Sequence, residues 1–429
     1  MLDIKLIRSD PELVKRNLEK RGNPENLRML DKLSRYDQKW RRLQTKLNEL
    51  RHKRKLLTTK IAALKKKGQD TTDEISKARK IDVEIEALKE DVEESKAKTR
   101  HYLLRLPNLL HDSVPKGEDE QENVPVRKWG QVPEFSFPAK DHIDLGLGLD
   151  IMDIERAGKV AGARFFYLKN EGVLLDMAVM NFALKEMVKK GFVPVQPPFL
   201  MRRKPYEGVV ALSDFENDLY KIEDEDLYLI ATSEHPMAAM FMDEVLKASD
   251  LPIKLVGVSS QFRKEAGAHG KDTRGIFRTH QFNKIEQFVF CEPEESWTIH
   301  EELIRNAEEL VQRLRLPYRV VNVCTGDIGT VAAKKYDLEA WMPAQDAYRE
   351  IVSCSNCTSY QARRLNMRYR EKEGAPTKGF VHTLNSTALA TGRTIVAILE
   401  NYQSEDGSVT IPEALKEYVG DIEKIEPAE

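Results

Sequence analysis

The chain has 429 residues and a formal net charge of −2, with 41% hydrophobic and 32% charged residues. This length supports two or three domains with separate cores, and the composition is that of a soluble protein rather than a disordered one. It contains no apolar run of the roughly 18 residues that a membrane-spanning helix needs. The four cysteines lie in the second half, and the acid-containing start resembles neither a secretory nor a transit peptide. We therefore expect a reducing, cytoplasmic location.

Residues 1–26 predict a short helix that begins near Asp10-Pro11, and a helical hairpin follows over about 28–105. Steps of three and four residues separate the apolar or large side chains, as in a coiled-coil seam. The first series has one break at Arg54 and comprises Leu33, Tyr36, Trp40, Leu43, Leu47, Leu50, Leu57, Ile61 and Leu64. The second comprises Ala78, Ile81, Ile85, Leu88, Val92, Ser95, Thr99, Tyr102 and Leu106. The breaker Gly68–Asp73 lies between them and predicts a tight turn.

Charge is distributed unevenly between these two helices. Residues 28–67 contain 15 Lys or Arg against three acids, whereas residues 71–105 contain eight basic against nine acidic residues. A solvated coiled-coil face accounts for many such charges, but a phosphate-contacting surface also accounts for their concentration on one helix. Recognition by shape, as for structured RNA, fits this pattern. The candidate RNA-binding residues are Arg51, Lys53, Arg54, Lys55, Lys65, Lys66 and Lys67.

The rest of the chain predicts an α+β domain over 136–429, after a helical domain over 1–112 and a polar linker over 113–135. Residues 177–190 form an amphipathic pattern that runs into a proline-rich stretch ending at Pro198. Residues 253–262 and 277–290 predict strands, with a charged, glycine-containing loop between them. We expect a mainly antiparallel sheet flanked by helices, because no Walker motif or dinucleotide fingerprint occurs and Gly326–Gly329 is too short for one.

The second of these strands places unusual side chains on one face. The even positions are Arg278, His280, Phe282, Lys284, Glu286 and Phe288. A core-facing strand has no need of four ionisable groups, and a solvent-facing one has no need of two phenylalanines. A lined cleft accounts for both, with arginines for phosphates, an aromatic face for a base and a carboxylate for an amine. For Glu286 alone, a structural salt bridge is an equally good interpretation.

A second unusual charge precedes the apolar run 394–400, which predicts a buried helix. Arg393 lies near the start of that helix, where a positive side chain opposes the helix dipole. An anionic ligand would make both the arginine and the helix terminus favourable. The alternative is that Arg393 pairs with a nearby carboxylate.

Three segments resemble the signature motifs of class II aminoacyl-tRNA synthetases. The segment ending at Pro198 resembles motif 1, which forms the dimer interface in that family; Phe262–Glu265 with its loop and returning strand resembles motif 2; Leu389–Arg393 resembles motif 3. Further matches resemble the seryl-tRNA synthetase family specifically. They are the basic hairpin, Thr232-Ser233-Glu234, Glu350–Cys357, Gln361–Arg364 and Thr383-Leu384-Asn385.

The resemblance implies a role for each matching residue. The implied serine-binding residues are Thr232, Ser233, Glu234, Arg263, Glu286, Asn385 and Thr387. The implied ATP-binding residues are Arg263, Lys264, Glu265, Arg278, Thr279, Phe282, Glu350, Ile351, Val352, Ser353 and Arg393. Arg263, Glu286 and Arg393 would be the catalytic residues, and Glu350 with Ser353 would hold Mg²⁺ on the ATP.

Within the ATP-binding set, the resemblance gives finer roles. Arg263 would contact the α-phosphate, Phe282 would stack on the adenine ring beside Glu265, and Arg393 would contact the γ-phosphate. Arg278 is a second candidate for the phosphate tail. The Cys354–Cys357 run is expected to be structural, without zinc, because no second pair or histidine cluster completes a metal site.

The implied activity is ATP-dependent formation of seryl-adenylate, followed by transfer of serine to a tRNA with a long variable arm, including tRNA(Sec) where that tRNA is present. The implied partners are this tRNA and a second copy of the chain. The run Asn385-Ser386-Thr387 departs from many bacterial members and resembles archaeal or eukaryotic-like ones. Two alternatives remain open: a related ligase that loads a carrier protein, and a non-enzymatic RNA-binding paralogue.

Overall fold

The computed structural model describes residues 1–212, 216–265 and 275–428. The chain divides into two compact units, Met1–Leu109 and Leu110–Glu429. Most of the charged loop predicted within motif 2, including Asp272, Thr273 and Arg274, lies outside the described residues. Within the described ranges, no helix is both long and apolar enough to cross a membrane.

The first unit consists of four helices. They are α1 (Ile4–Ser9), α2 (Pro11–Glu19), α3 (Pro24–Lys66) and α4 (Thr72–Arg105). The single short helix expected before residue 26 is two helices, because Asp10 ends α1 and its carboxylate accepts a hydrogen bond from the Leu13 amide at the start of α2. Proline occupies the first position of α2 and of α3. A backbone N–H at this position has no acceptor within the helix, so proline, which lacks that N–H, costs no hydrogen bond there.

The two long helices pack along the seam that the sequence predicts. Leu47 and Leu50 of α3 form an apolar cluster with Ile85, Leu88 and Val92 of α4. Near the start of α3 and the end of α4, Tyr36 and Tyr102 stack with ring centroids 5.8 Å apart. At the break in the pattern, Arg54 donates a 2.8 Å hydrogen bond to Asp82 across the seam, so the polar residue is paired rather than packed.

The second unit contains eight α-helices among its described residues. They are α5 (His142–Gly148), α6 (Ile154–Ala161), α7 (Asn170–Lys189), α8 (Arg203–Val209), α9 (Glu234–Ala238), α10 (Ser296–Arg313), α11 (Tyr360–Leu365) and α12 (Thr391–Asn401). Its strands up to the middle of the unit are β1 (Val124–Trp129), β2 (Met152–Asp153), β3 (Tyr167–Leu168), β4 (Val193–Val195), β5 (Leu200–Met201), β6 (Tyr228–Leu229), β7 (Val245–Lys247), β8 (Ile253–Phe262) and β9 (Gln281–Cys291). The remaining strands are β10 (Tyr318–Asn322), β11 (Lys334–Met342), β12 (Ala347–Thr358), β13 (Arg368–Arg370), β14 (Thr377–Phe380), β15 (His382–Ala390), β16 (Val409–Thr410) and β17 (Lys424–Ile425).

Eight strands form the main sheet, in the order β1-β10-β11-β12-β15-β9-β8-β4. All its neighbours are antiparallel except β4 and β8. The α+β expectation is therefore confirmed. The predicted linker 113–135 differs from the structure, because its residues Val124–Trp129 pair with β10 and form an edge of this sheet. Their alternation of valine with polar residues and proline suits an exposed edge strand.

The sheet has one apolar face and one partly polar face, which positions the cavity described below. On β9, the odd residues Ile285 and Val289 pack into the main core with helices α7, α10 and α12. The even residues Lys284 and Glu286 face a cavity on the opposite side. Phe288, which the sequence places in the cleft, instead packs with Phe290 in a second apolar cluster, so the cavity covers only the first part of this strand face.

Candidate active site

A cavity of about 460 Å³ lies against the polar face of the sheet. Strands β9, β12 and β15, the segment after β8 and the start of α12 contribute to its wall. Fourteen of the sequence-predicted site residues line it: Thr232, Glu234, Arg263, Glu265, Arg278, Thr279, Phe282, Glu286, Glu350, Ile351, Ser353, Asn385, Thr387 and Arg393. Residues far apart in the sequence thus meet at one place.

One end of the cavity holds a buried polar cluster around Glu286. The Lys284 ammonium lies 2.6 Å from Glu286 Oε2 and donates a 2.9 Å hydrogen bond to Thr232 Oγ1. The Thr387 hydroxyl donates to the same Glu286 oxygen at 3.4 Å. These residues combine a carboxylate, an ammonium group and two hydroxyls, which can bind an amine and a hydroxyl on one small ligand.

Glu234 adds a second carboxylate to this end of the cavity. Gln361 Nε2 donates a 2.9 Å hydrogen bond to its Oε1. Burial, reinforced by the negative charge of Glu286, raises the pKa of Glu234 to about 7. The neighbouring His235 is neutral, because burial and the positive charges of Lys284 and Arg263 lower its pKa to about 3.

Arg263 follows β8 and borders the middle of the cavity. Its Nε donates a 3.1 Å hydrogen bond to the Ala231 carbonyl, and its guanidinium lies 5.2 Å from the centre of the Phe282 ring. Its backbone N–H donates to the His280 carbonyl at 2.9 Å, which continues the pairing of β8 with the segment before β9. These contacts fix a cation and an aromatic face side by side, and both can contact a nucleotide.

Glu265 and Arg278, which both line the cavity, form an ion pair. Arg278 Nε donates a 2.8 Å hydrogen bond to Glu265 Oε2. Glu265 has a left-handed backbone with φ of 49°, and Arg164 donates a 2.8 Å hydrogen bond to its carbonyl oxygen. A left-handed glutamate is uncommon outside sites where the surrounding structure fixes the backbone, as two arginines do here.

The far end of the cavity contains Arg393, the third residue of α12. Its Nη1 donates a 2.6 Å hydrogen bond to the Glu350 carbonyl and lies 3.3 Å from Glu350 Oε2. Its guanidinium also lies 4.9 Å from the centre of the Phe277 ring. Arg393 is therefore paired with a carboxylate, as one of the two sequence interpretations expects; it also borders the cavity, and its binding of an anionic ligand stays a prediction.

A β-bulge explains why Glu350 and Ser353 both reach this cavity. The register between β11 and β12 shifts at Ile351, so the two-residue alternation is interrupted there. Burial acts to raise the pKa of Glu350, but the positive charges of Arg393, Lys335 and Arg263 outweigh it and lower that pKa. The ionised carboxylate and the Ser353 hydroxyl are oxygen ligands of the kind that Mg²⁺ prefers.

Three of the predicted residues lie elsewhere. Ser233 is fully buried beside Gly257, where an added Cβ would lie 3.0 Å from the serine Oγ. Lys264 lies over the Tyr220 ring, 5.8 Å from its centre. Val352 packs into the main core, because the residue after the bulge points away from the cavity. These three residues do not line the cavity, and their predicted roles in serine or ATP binding stay predictions.

The structure also adds residues to the cavity wall. They include His235, Phe277, Lys284, Ser355, Cys357, Gly392 and the segment 328–332. Gly392 allows a close backbone approach, since an added Cβ would lie 2.9 Å from the Ile276 carbonyl oxygen. The alternation of β9 indicates Lys284 in the sequence, whereas no sequence pattern distinguishes Phe277 or the segment 328–332.

The cysteines of the Cys354–Cys357 run lie in different surroundings. Burial raises the pKa of both thiols above its usual range. Cys354 packs in the main core, whereas Cys357 borders the cavity and accepts a 3.7 Å hydrogen bond from Asn385 Nδ2. The run thus places one thiol on each face of β12.

The candidate RNA-binding residues lie on α3 in the first unit and at its end. Six of them are exposed: Arg51, Lys53, Lys55, Lys65, Lys66 and Lys67. Arg54 is half-buried through its ion pair with Asp82. The exposed side chains form a basic surface on α3 that is accessible within this unit.

Comparisons with known proteins extend over both units. Residues 1–110 match the model of the seryl-tRNA synthetase N-terminal domain, and residues 219–402 match that of the tRNA synthetase class II core domain (G, H, P, S and T). A serine–tRNA ligase of Methanocella arvoryzae is 53% identical over 99% of this chain and 100% of its own length.

Two solved structures resemble the whole chain. The seryl-tRNA synthetase of Pyrococcus horikoshii, solved with ATP, has a TM-score of 0.95 and 52% identity, with 100% of both chains covered. The cytoplasmic serine–tRNA ligase of Naegleria fowleri, solved with AMP, has a TM-score of 0.90 and 36% identity, covering 100% of this chain and 99% of its own. With identity of this extent over its full length, the chain belongs to the seryl-tRNA synthetase family of class II aminoacyl-tRNA synthetases.

Proposed function

We propose that this chain is an ATP-dependent, AMP-forming serine–tRNA ligase. It activates L-serine to seryl-adenylate with release of pyrophosphate, and then transfers the seryl group to the 3′-terminal ribose of tRNA(Ser). The observation that carries this proposal is the cavity, in which a buried cluster of acids and hydroxyls lies beside three arginines and two phenylalanine rings. Relatives that are named serine–tRNA ligases support the same activity.

The buried cluster is the proposed serine pocket. Glu286 and Glu234 provide negative charge for the α-ammonium group, while Thr232, Thr387 and Asn385 provide polar groups for the side-chain hydroxyl. A pocket that bonds a hydroxyl rejects alanine by roughly 10⁴-fold or more, because its polar groups would otherwise stay unpaired. Threonine differs by one methyl group, so its exclusion is weaker, roughly 10- to 200-fold.

The arginines and Phe282 form the proposed ATP site. Adenine stacks on Phe282 near Glu265, Arg263 contacts the α-phosphate, and Arg393 contacts the γ-phosphate at the opposite end. Arg278, Thr279 and Ile351 complete the lining. Phe282 and the Arg263 guanidinium are already fixed side by side, which reduces the ordering cost of binding the nucleotide.

Chemistry at this site needs no protein nucleophile. A carboxylate oxygen of serine attacks the α-phosphorus, the bond to the bridging oxygen of pyrophosphate breaks, and pyrophosphate leaves with that electron pair. Catalysis is then positioning of the reactants and stabilisation of the charge that builds on the phosphoryl oxygens, with Arg263 as the main contributor. In the second step, a terminal ribose hydroxyl attacks the adenylate carbonyl and AMP leaves.

Glu350 and Ser353 are the proposed ligands of the Mg²⁺ that accompanies ATP. The carboxylate is ionised and the hydroxyl borders the same cavity, so these two oxygens fit a hard cation that also keeps water and phosphate ligands. Bound there, Mg²⁺ would neutralise part of the triphosphate charge. Arg393, which pairs with Glu350 in this structure, would share that carboxylate or exchange it for phosphate oxygens.

The acceptor is proposed to be a tRNA with a long variable arm, including tRNA(Sec) where that tRNA is present, and the basic surface of α3 is the proposed contact. Exposed lysines contact phosphates rather than base edges, which suits recognition of RNA by its shape.

We also propose a homodimer, because the motif 1 helix α7 exposes Val173, Leu174 and Met177 on one face. Among the described residues, Cys291, Cys324 and Cys354 are buried and form no disulfide, which supports the proposed cytoplasmic, reducing location.

The test is ATP–pyrophosphate exchange with each of the standard amino acids, followed by aminoacylation of tRNA. We expect strong exchange with serine, weak exchange with threonine and almost none with alanine. Exchange with another amino acid and none with serine would overturn the proposal. Serine-dependent exchange without tRNA charging, but with loading of a carrier protein, would favour the related ligase instead.

A further inference from the structure

Lys284 is a buried lysine in the wall of the cavity, and it is not one of the proposed serine-binding or ATP-binding residues. It lies on β9 two residues before Glu286 and therefore shares its face. Its side chain is 8% exposed and that of Glu286 is 2% exposed. Burying an ammonium group costs desolvation free energy unless the group is paired with an opposite charge, so the position of Lys284 in the pocket requires a physical explanation.

The contacts of Lys284 join two of the proposed serine-binding groups. Its Nζ lies 2.6 Å from Glu286 Oε2 and donates a 2.9 Å hydrogen bond to Thr232 Oγ1. Thr232 comes from the segment before α9, whereas Glu286 comes from β9, so the lysine joins side chains from two separate elements of the fold. The ammonium group has three N–H donors. Two have partners among the described residues, which leaves one for a water molecule or a substrate oxygen.

Charge balance gives a second, independent reason. The pocket holds two buried carboxylates, Glu234 and Glu286, and their mutual repulsion contributes to the raised pKa of Glu234, while Lys284 opposes that shift. Without Lys284, less positive charge would offset the repulsion between the two carboxylates, and one of them would become protonated or rotate away from the other. A protonated carboxyl is a poorer partner for an ammonium group.

We propose that Lys284 is a positioning residue of the amino-acid pocket, whose ammonium group holds the Glu286 carboxylate and the Thr232 hydroxyl in the orientation in which they receive the α-ammonium and hydroxyl groups of the substrate. This inference rests on the proposed serine-binding function. It assigns Lys284 an effect on amino-acid binding and none on nucleotide binding, for which Phe282, Arg263 and Arg393 are the proposed residues.

The test compares Lys284→Met with the wild type in ATP–pyrophosphate exchange, with rates normalised to active sites. Methionine keeps most of the length and apolar volume of the lysine stem but removes the charge and the donors. We expect the KM for serine to rise about 10- to 100-fold, as for the loss of one charged hydrogen bond. The KM for ATP should stay within about twofold.

Lys254→Met is the matched control, because Lys254 lies on the neighbouring strand β8 and its Nζ also lies 2.6 Å from a carboxylate, that of Glu302, outside the cavity. We expect no change in either KM for this variant. If the Lys284→Met protein fails to fold, Lys284→Gln tests the same expectation with a polar side chain. A Lys284 variant that folds and keeps the wild-type KM for serine would overturn the inference.

A double-mutant cycle with Glu286→Gln tests whether Lys284 acts through Glu286. If it does, Lys284→Met raises the KM for serine much less in the Glu286→Gln background than in the wild type. Full additivity of the two effects would contradict the positioning role. The proposed function has a separate outcome: a wild-type protein without serine-dependent exchange contradicts the function itself, whereas normal wild-type exchange with an unaffected Lys284 variant contradicts only this inference.

Discussion

The helical hairpin and the cavity use charged residues in opposite ways. At the end of α3, Lys65, Lys66 and Lys67 are exposed, so each charge is hydrated and screened. In the cavity, Lys284 and Glu286 are buried and paired at 2.6 Å. Exposed charges contribute small amounts that add up over a surface, whereas removing one buried partner leaves the other uncompensated. We therefore expect single substitutions to have strong effects in the cavity and weak effects on the hairpin.

The largest expected effect is that of Arg263→Ala. In the proposed role of Arg263, loss of the guanidinium would remove charge stabilisation at the α-phosphate, and we expect the exchange rate to fall about 10²- to 10³-fold. Binding of tRNA, measured by filter retention, should stay within about twofold, because the candidate RNA-binding residues lie in the other unit. A comparable fall in the exchange rate and in tRNA binding would contradict the proposed separation of the two functions between the cavity and the hairpin.

The pH dependence of serine use should be the next largest effect. Because the pKa of Glu234 is raised to about 7, its carboxylate is protonated at lower pH and loses its attraction for the α-ammonium group. We expect kcat/KM for serine to fall about tenfold per pH unit below about pH 7, and Glu234→Gln to lack this acid limb while being less active overall. Exchange measured from about pH 5.5 to about pH 8.5 gives both profiles.

Circular dichroism over the same pH range is the control for unfolding. A carboxyl group with a raised folded-state pKa stabilises the fold at low pH and loses that contribution as the pH rises through about 7. Protonation of Glu234 therefore does not unfold the protein, and an acid limb that follows the loss of helical signal would contradict this explanation. An acid limb of equal slope in the Glu234→Gln protein would exclude Glu234 as its source.

Neutralising the tip of the hairpin should have a moderate effect that depends on salt. We expect Lys65→Gln, Lys66→Gln and Lys67→Gln together to weaken tRNA binding and to reduce the slope of log affinity against log salt by about 0.7 to 0.9 for each phosphate that the protein no longer neutralises. Serine-dependent exchange should not change. An unchanged salt slope would show that the tip charges are only a solvated helix face.

The smallest expected effect concerns the seam break. Arg54→Met removes a partly exposed ion pair with Asp82 and continues the apolar seam, so the change in the free energy of unfolding should stay within about 1 kcal/mol. Thermal unfolding of the two proteins measures it. A destabilisation of several kcal/mol would mean that the hairpin, like the cavity, depends on individual charge pairs.

The same contrast explains what could be predicted from sequence. The hairpin follows from spacing alone, since α3 and α4 pack through local three- and four-residue repeats and Arg54 marks the polar break. Strand β8 matches the predicted residues 253–262, whereas β9 begins at Gln281, four residues after the predicted start. Alternation along β9 correctly grouped Phe282, Lys284 and Glu286, because their face depends only on the strand period.

Features set by long-range packing could not be predicted in this way. The bulge at Ile351 interrupts the alternation, so it brings Glu350 to the cavity but leaves Val352 in the core. Phe277 and the segment 328–332 enter the cavity wall from loops that have no periodic pattern. Edge strand β1 lies in a stretch of linker-like composition, and only its pairing with β10 distinguishes it.

We propose a division of labour in which the second unit activates serine and the hairpin selects the acceptor. The most direct measurement is serine-dependent exchange and tRNA charging in a protein with a shortened hairpin. Arg54 of α3 pairs with Asp82 of α4, so the two helices are close together at these residues. Replacing residues 54–82 with a short glycine-rich turn therefore rejoins the helices and keeps the apolar cluster that contains Leu47 and Leu88. We predict exchange within about twofold of the wild type and a loss of charging of about 100-fold or more. Equal loss of both activities, or full retention of charging, would contradict the account.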